Sequence, residues 1–361
     1  MSKRVFVSDL HCSAPGGTGT DCYLWLSEHG IHRATRFLQY LVDCARKPGN
    51  PIDEVVLIGD IFDTWVIPHD EMPPEFSAIV NAPRNAELLD ALGTLCSCAR
   101  VIYLPGNHDM HVSKHDVATH FKQMVYGGTA SADSVFVAGR LHAEHGSAHA
   151  LFNAPDPLRR ARLPLGYFLT RLHATTMRDR GKTVRGLATL IDDILEVVGP
   201  QQVAECVFEA VLEEAGLTSD TEILMPKSLW AGESVKAGNI QKMYADLYDE
   251  WGARRGTGKA FKSLVAEIGW LADIADNICK SSGPNVVVFG HSHRAELDKD
   301  SWFVDDRIYA NCGTWCDDDK PPNFVEVETI KGDPRSSTEV RLLVWNDETS
   351  TPEFVGRPER I

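Results

Sequence analysis

Short apolar runs rich in β-branched residues recur along the chain and alternate with segments of helical spacing. The four clearest runs end directly in small or polar residues: Val5–Val7, Val55–Ile58, Val101–Leu104 and Val286–Phe289. Runs of this length and composition predict buried β-strands. A further strand is predicted from Val135 through Leu141. Apolar spacing predicts helices over 31–46 and around 85–98, which gives the first 150 residues an α/β pattern.

The chain after residue 306 has the pattern of further strands. Arg307–Trp315 predicts a strand followed by a tight turn. Phe324–Val327 and Val340–Trp345 predict an antiparallel pair that closes a sheet, with the polar residues Lys331–Ser337 as its hairpin. The final residues are expected to form a loose tail.

Polar side chains follow five of the predicted strands. They are Asp9 and His11; Asp60 and Asp63 after Gly59; Asn107, His108 and Asp109 after Gly106; His145 before Gly146; and His291 and His293 after Gly290. Each segment alone is typical of a polar turn. Together they supply carboxylate, amide and imidazole groups, the mixed ligand set that suits Mn, Fe, Zn or Co. The glycines let the backbone turn sharply and approach a bound ion.

The middle of the chain, 151–283, has a helical pattern. Apolar residues recur on one face in three stretches, around 203–211, 240–251 and 264–278. Breaks are expected at the glycines in between: Gly199, Gly216, Gly232, Gly238 and Gly256. The segment is interpreted as a helical insertion between the strands that precede His145 and His291, placed as a cap over the polar strand ends.

Composition limits the partners. The chain has 36 basic and 51 acidic residues, a formal charge of −15, so no nucleic acid duplex is expected as a partner. No apolar run reaches the roughly 20 residues that a transmembrane helix needs, although peripheral membrane contact stays open. Nine scattered cysteines that match no zinc spacing, and the lack of a signal-peptide pattern, predict a cytoplasmic protein with reduced thiols.

The ordered set Asp-x-His, Gly-Asp-x-x-Asp, Gly-Asn-His-Asp, His-Gly and Gly-His-x-His resembles that of the calcineurin-like metallophosphoesterases. The resemblance covers about 1–150 and 284–316. It implies an α/β (α+β) fold, a two-layer β-sandwich of mixed sheets flanked by helices. The metallophosphoesterase core would consist of 1–150 and 284–361, with 151–283 as the helical cap.

The resemblance also implies two divalent metal ions, Mn, Fe or Zn with Mn favoured. The first metal position would be formed by Asp9, His11, Asp60 and His293. The second would be formed by Asp60, Asn107, His145 and His291, with Asp60 as the bridge. A hydroxide between the ions would attack a small anionic phosphorylated substrate, a phosphomonoester or a phosphodiester. His108 would protonate the leaving oxygen, Asp63 would orient the His108 ring, and Asp109 would support the site.

Several interpretations stay open at this stage. The Asn-x-Gly-Thr-Trp segment ending at Trp315, together with Trp65, resembles the UDP-2,3-diacylglucosamine pyrophosphohydrolases, so cleavage of a nucleotide-linked lipid or sugar pyrophosphate is an alternative. A non-catalytic metal-binding scaffold is another. His149 is a second candidate for the role of His145. The basic stretch 159–185 would either receive an anionic substrate or pair with the acids around 192–196.

Overall fold

The computed structural model describes residues 2–17, 19–48, 52–127, 134–154, 163–181, 187–226, 229–267, 269–300, 307–329 and 338–361. The strands are β1 Ser2–Val7, β2 Glu54–Ile58, β3 Arg100–Leu104, β4 Val125–Tyr126, β5 Val135–Ala138, β6 Leu141–Glu144, β7 Glu222–Leu224, β8 Ser234–Lys236, β9 Val286–Phe289, β10 Ala295–Asp300, β11 Arg307–Cys312, β12 Asn323–Thr329, β13 Thr338–Asn346, β14 Thr351–Phe354 and β15 Glu359–Arg360. The helices are α1 Glu28–Arg46, α2 Phe76–Val80, α3 Ala86–Cys98, α4 Lys114–His120, α5 Leu165–Arg180, α6 Leu187–Val198, α7 Val203–Glu214, α8 Ala237–Tyr244, α9 Leu247–Arg255, α10 Thr257–Glu267 and α11 Ala272–Ser282.

The strands form two large mixed sheets and one small one. The larger sheet has the order β14-β13-β12-β1-β2-β3-β4, with β15 also paired to β13. In it, β1 to β4 run parallel to one another, and β12 is antiparallel to β1. The second sheet has the order β10-β11-β9-β6-β5, with β6, β9 and β11 parallel. β7 and β8 form a separate two-stranded sheet.

The two large sheets pack face to face, as the alternation of side chains along each strand requires. Phe6 and Val56 point inward and share a buried cluster with Ala143 and Val288 of the second sheet. The neighbouring Val5, on the opposite face of β1, belongs to a cluster with α1 and α3. The outer face of the second sheet packs on α11. The two-layer β-sandwich flanked by helices is therefore confirmed.

The segment between β6 and β9 contains helices α5 to α11 and buries an apolar cluster of its own. This cluster includes Phe168, Val207, Ile240 and Leu264, and Trp65 of the core chain joins it. The prediction of helices alone was wrong at one place, because β7 and β8 form a hairpin. Among the described residues, no helix is long and apolar enough to cross a membrane.

Two local predictions need correction. The single strand from Val135 through Leu141 is two antiparallel strands, β5 and β6, which turn at Gly139 with a φ of 64°. The expected loose tail includes β14 and β15, which both pair with β13. Gly238 is the second residue of α8, so this helix begins next to one of the predicted breaks. The Lys331–Ser337 hairpin lies outside the described residues, but the antiparallel pairing of β12 with β13 is as predicted.

Candidate metal centre

The predicted site residues meet where the parallel strands of the two large sheets end. The loop after β1 bonds to the loop after β2, with the amide of His11 donating to the carbonyl of Asp60 at 2.9 Å. In the second sheet, the amide of Gly290 donates to the carbonyl of His145 at 3.0 Å. The two sheets are joined there by the amide of His291, which donates to Asp9 Oδ2 at 3.0 Å.

One group of side-chain atoms corresponds to the first metal position. The Nε2 atoms of His11 and His293 lie 3.2 Å apart. His293 Nε2 lies 3.2 Å from Asp9 Oδ1. His11 Nε2 lies 3.8 Å from Asp9 Oδ1 and 3.8 Å from Asp60 Oδ2. The four residues predicted for this position therefore lie together.

A second group shares Asp60 with the first. His145 Nε2 lies 3.1 Å from Asp60 Oδ2 and 3.0 Å from Asn107 Oδ1. The rings of His145 and His291 are 5.2 Å apart between centroids. Ligand atoms of Asp60, His145 and His291 all lie within 4.8 Å of one another. Asp60 Oδ2 thus lies near the nitrogen atoms of both groups.

The spacing of these atoms fits divalent ions. Two ligands about 2.1 Å from one ion and at right angles to each other are about 3.0 Å apart, close to the shorter separations above. Asp9 Oδ1 is buried and accepts no hydrogen bond of good geometry from the described residues, even with His293 Nε2 nearby. A buried carboxylate oxygen in this state is costly unless a cation is bound. The donor set therefore fits a metal centre.

Hydrogen bonds from the outer ring nitrogens leave the inner ones available. Asp63 Oδ2 accepts from His11 Nδ1 at 2.7 Å and from His108 Nδ1 at 2.9 Å. His145 Nδ1 donates to the carbonyl of Ile58 at 2.9 Å. Burial opposes the ionisation of Asp63, but His108 and His11 hold the pKa of this carboxyl well below its usual range. Such outer partners fix the tautomer of a metal-binding imidazole.

The backbone is strained at the same residues. Among the described non-glycine residues, those with positive φ are Asp9, His11, Asp60, His291, His293 and Ser350, with φ between 51° and 68°. The left-handed region costs an ordinary residue about 1–2 kcal/mol. Such strain persists where the surrounding structure imposes it and is concentrated at functional sites. Five of these six residues belong to the predicted metal centre.

Two glycines and one carboxylate bring the loops close together. A Cβ at Gly59 would meet the His145 ring at 2.6 Å, and one at Gly106 would meet Asp60 Oδ1. Asp109 Oδ2 accepts from the amides of Ile61 and Phe62 at 3.0 and 3.2 Å, and its Oδ1 accepts from Asp60 and Gly106. The loop that carries Asp60 is therefore shaped by Asp109, as expected of a supporting residue.

The comparison with protein families decides the assignment. Residues 2–295 match the calcineurin-like phosphoesterases. This chain belongs to that family. Membership supports a metal-dependent phosphoesterase in general, and the clusters above are suited to hold its metals.

Solved structures give distant matches. Vps29 from Chaetomium thermophilum is 10% identical, with 100% of this chain and 95% of that chain covered at a TM-score of 0.33. A Vps29 double mutant from Entamoeba histolytica is also 10% identical, with 99% and 98% covered at 0.31. No curated protein matches the sequence. At this distance the solved structures do not bear on the activity of this family member.

Two tryptophans pack beside the His108 ring. Trp65 stacks on the His108 ring, 4.5 Å between centroids at 30°, and it also packs edge to face on Tyr167 of α5. Trp25 lies 5.0 Å from His108 and 4.7 Å from His11. Sequence reasoning missed Trp25, because it lies in a loop without a recognisable motif.

Cys316 was also missed as a neighbour of the metal centre. Its sulfur lies within 4.8 Å of ligand atoms of His11 and His293. Burial raises the pKa of this thiol to about 11. It directly follows Trp315, whose indole Nε1 donates to the carbonyl of Asn323 at 2.8 Å within the core.

The remaining candidates have other partners. His149 Nε2 and His142 Nε2 both contact Glu144 Oε1, at 3.1 and 3.0 Å. Arg171 is fully buried and donates to backbone carbonyls, and Arg178 pairs with Asp70 at 2.7 Å. These two arginines therefore neither form an exposed anion patch nor pair with 192–196. Arg159, Arg160, Arg162, Lys182 and Arg185 lie outside the described residues.

Proposed function

We propose that this protein is a dinuclear metal-dependent phosphoesterase that hydrolyses a small phosphomonoester or phosphodiester. The observation that carries the proposal is the position of Asp60 Oδ2. It lies 3.8 Å from His11 Nε2 and 3.1 Å from His145 Nε2, between two groups of nitrogen and oxygen atoms. A carboxylate in this position is suited to bridge two divalent metal ions, and Mn is the favoured metal.

The ligands proposed for the two positions are the same as those expected from the sequence. Asp9, His11, Asp60 and His293 would hold the first ion, and Asp60, Asn107, His145 and His291 the second. Two such ions would acidify a water molecule and neutralise the phosphoryl oxygens. The protein groups around them would bind the phosphate and exclude solvent.

His108 is assigned the proton transfer to the leaving oxygen. Its Nδ1 is held by Asp63 and one ring face by Trp65. These contacts fix the ring and leave Nε2 for the substrate. Asp63 is the positioning residue for this step. The substrate would thus meet a fixed imidazole donor next to the metal centre.

The helical segment 151–283 is proposed as a cap. Its helix α5 reaches the surroundings of the catalytic ring through Tyr167, against Trp65, and through His173, 6.3 Å from Trp25. This placement would let the segment shape the entrance for the substrate. The core domain would then be 1–150 with 284–361.

The test combines metal analysis with hydrolysis. Wild-type protein incubated with MnCl₂ and desalted should retain close to two ions per chain and hydrolyse an aryl phosphate monoester or diester. Asp60→Ala should lose both properties. His108→Ala should keep its Mn and lose turnover, and His115→Ala, an exposed histidine of α4, is the matched control.

The outcomes separate the alternatives. Release of two phosphorylated fragments from a nucleotide pyrophosphate, with no hydrolysis of the aryl esters, would favour the pyrophosphate hydrolase. Bound Mn without turnover on any of the three substrate classes would favour a scaffold. Failure of the wild type to retain Mn would refute the dinuclear proposal. Loss of Mn in His108→Ala would refute the role of this residue.

A further inference from the structure

A line of polar contacts connects Asn107 to the helical segment. Asn107 Nδ2 donates to Asn153 Oδ1 at 3.2 Å, and Asn153 Nδ2 donates to Glu267 Oε2 at 2.8 Å. The other oxygen of Glu267 accepts from the amide of Asn153 at 3.1 Å and from the amide of Phe152. Neither Asn153 nor Glu267 belongs to a motif that the sequence singled out.

The contacts have a direction that the carboxylate sets. A primary amide has one accepting and one donating end, whereas an ionised carboxylate only accepts. Glu267 therefore draws the NH₂ group of Asn153 toward itself, which turns the oxygen of Asn153 toward Asn107. Asn107 must then donate a hydrogen bond to this oxygen from its own NH₂ group. Its oxygen is then left on the other side, 3.0 Å from His145 Nε2, at the second metal position.

The surrounding structure holds Asn153 and Glu267 in place. Asn153 lies at the start of the helical segment, and Glu267 is the last residue of α10. The amide of Leu151 donates to the carbonyl of Ser263 at 3.0 Å, which holds the segment of Asn153 against α10. Gly166 allows Asn153 to approach, because a Cβ there would overlap Asn153 Oδ1.

We propose that Glu267 and Asn153 are positioning residues that orient the Asn107 amide, so that its oxygen and not its nitrogen faces the second metal position. The proposal rests on the proposed metal centre. It means that the helical segment contributes to metal binding without supplying a ligand. Partners of this kind typically change metal affinity by about 10–100-fold.

The decisive change is Glu267→Gln, studied at pH 8, above the pKa of about 7 that burial gives Glu267. Glutamine has nearly the same shape, but its NH₂ group would face the NH₂ group of Asn153. The amide of Asn153 must then turn over, and Asn107 follows. In a titration with MnCl₂ followed by electron paramagnetic resonance, one of the two ions should bind about 10–100-fold more weakly.

A second variant restores the direction. In Glu267→Gln combined with Asn153→Asp, the carboxylate and the amide exchange places. The NH₂ group of the new glutamine donates to the new aspartate, whose second oxygen accepts from Asn107 Nδ2. Mn affinity should return to within a few fold of the wild-type value. A role in packing alone predicts no such recovery.

The matched control is Glu71→Gln, which changes a buried carboxylate that is held by Arg178 at 3.1 Å. It should bind Mn as the wild type does. Equal Mn affinity of Glu267→Gln and the wild type would overturn the inference, as would failure of the double variant to recover. If Glu267→Gln does not fold, the double variant alone decides. Wild-type protein that binds no Mn would instead refute the proposed function.

Discussion

Asp63 is the residue that connects the proposed metal centre to the proposed proton transfer, because it contacts the rings of both His11 and His108. Its Oδ1 accepts from the amides of Trp65 and Val66 at 2.7 and 2.9 Å, and its Oδ2 accepts from the rings of His11 and His108. In Asp63→Asn, the remaining oxygen would keep the two backbone amides. The new NH₂ group would face both imidazoles, whose Nδ1 atoms would have to accept instead of donate. Each ring would then carry its proton on Nε2.

The magnitude follows from the two rings separately. A protonated Nε2 on His11 cannot bind the first ion, and loss of an orienting partner typically costs about 10–100-fold in metal affinity, or about 1.4–2.8 kcal/mol. His108 loses the acceptor that fixes its ring and tautomer. General acid catalysis typically contributes about 10²–10⁴-fold to the rate. Asp63→Asn should therefore show both losses at once.

The assay compares two variants under the same conditions. Equilibrium dialysis against MnCl₂ gives metal affinity, and hydrolysis of an alkyl phosphate, which needs leaving-group protonation, gives turnover. His108→Ala should lose only turnover, whereas Asp63→Asn should lose both. Asp70→Asn, which changes an exposed aspartate paired with Arg178, should lose neither. Wild-type Mn affinity in Asp63→Asn would refute the argument from tautomers.

Three further predictions concern stability and packing. Burial raises the pKa of Glu267 from 4.5 to about 7, so between these pH values its carboxyl ionises in the unfolded chain before it ionises in the folded one. As the pH rises through this range, the free energy of unfolding of the metal-free wild type should fall by at most about 3 kcal/mol relative to that of Glu267→Gln, measured by urea unfolding. Arg171→Met should lower the free energy of unfolding by at least about 3 kcal/mol in the same assay, because Arg171 donates from all three nitrogens to buried oxygens. Gly106→Ala should abolish Mn retention on desalting, since the added Cβ overlaps Asp60 Oδ1, whereas Gly93→Ala, with open space in α3, should retain Mn.

The core and the convergence of the site could be predicted because their signals are local. β9 has the predicted bounds, Val286–Phe289, since four apolar residues between polar segments leave few other conformations. The nine site residues follow strand ends, where side chains from separate segments meet. Shorter elements were harder. β7 and β8 have three residues each, too few for an alternating pattern. β14 contains Pro352, and proline is rare in strands except at a sheet edge, which is where β14 lies.

The conformation of the site residues could not be read from their identity. Aspartate and histidine are needed for their donor atoms, yet Asp9, Asp60 and His291 adopt positive φ. With His11 and His293, which also have positive φ, the conformational cost is on the order of 5–10 kcal/mol, similar to the net stability of many domains. Hydrogen bonds between loops, such as that from the Asp9 amide to the carbonyl of Gly59 at 3.2 Å, must impose these conformations. These hydrogen bonds form only when the sheets are folded, so no local sequence pattern predicts the positive φ angles.

Asn153 and Glu267, which contact Asn107 directly and through one another, could not be found in the sequence for a different reason. Asn153, between Phe152 and Ala154, belongs to no periodic pattern, and Glu267 is a single acidic residue at the end of a helix. Their importance comes only from the contact with Asn107, across the start and the end of the helical segment. Motifs identify the atoms that touch a metal, because the chemistry restricts those residue types. The orientation of an amide such as that of Asn107 depends on the residues that hydrogen-bond to it. Several residue types can make such hydrogen bonds, so only the coordinates show which residues do.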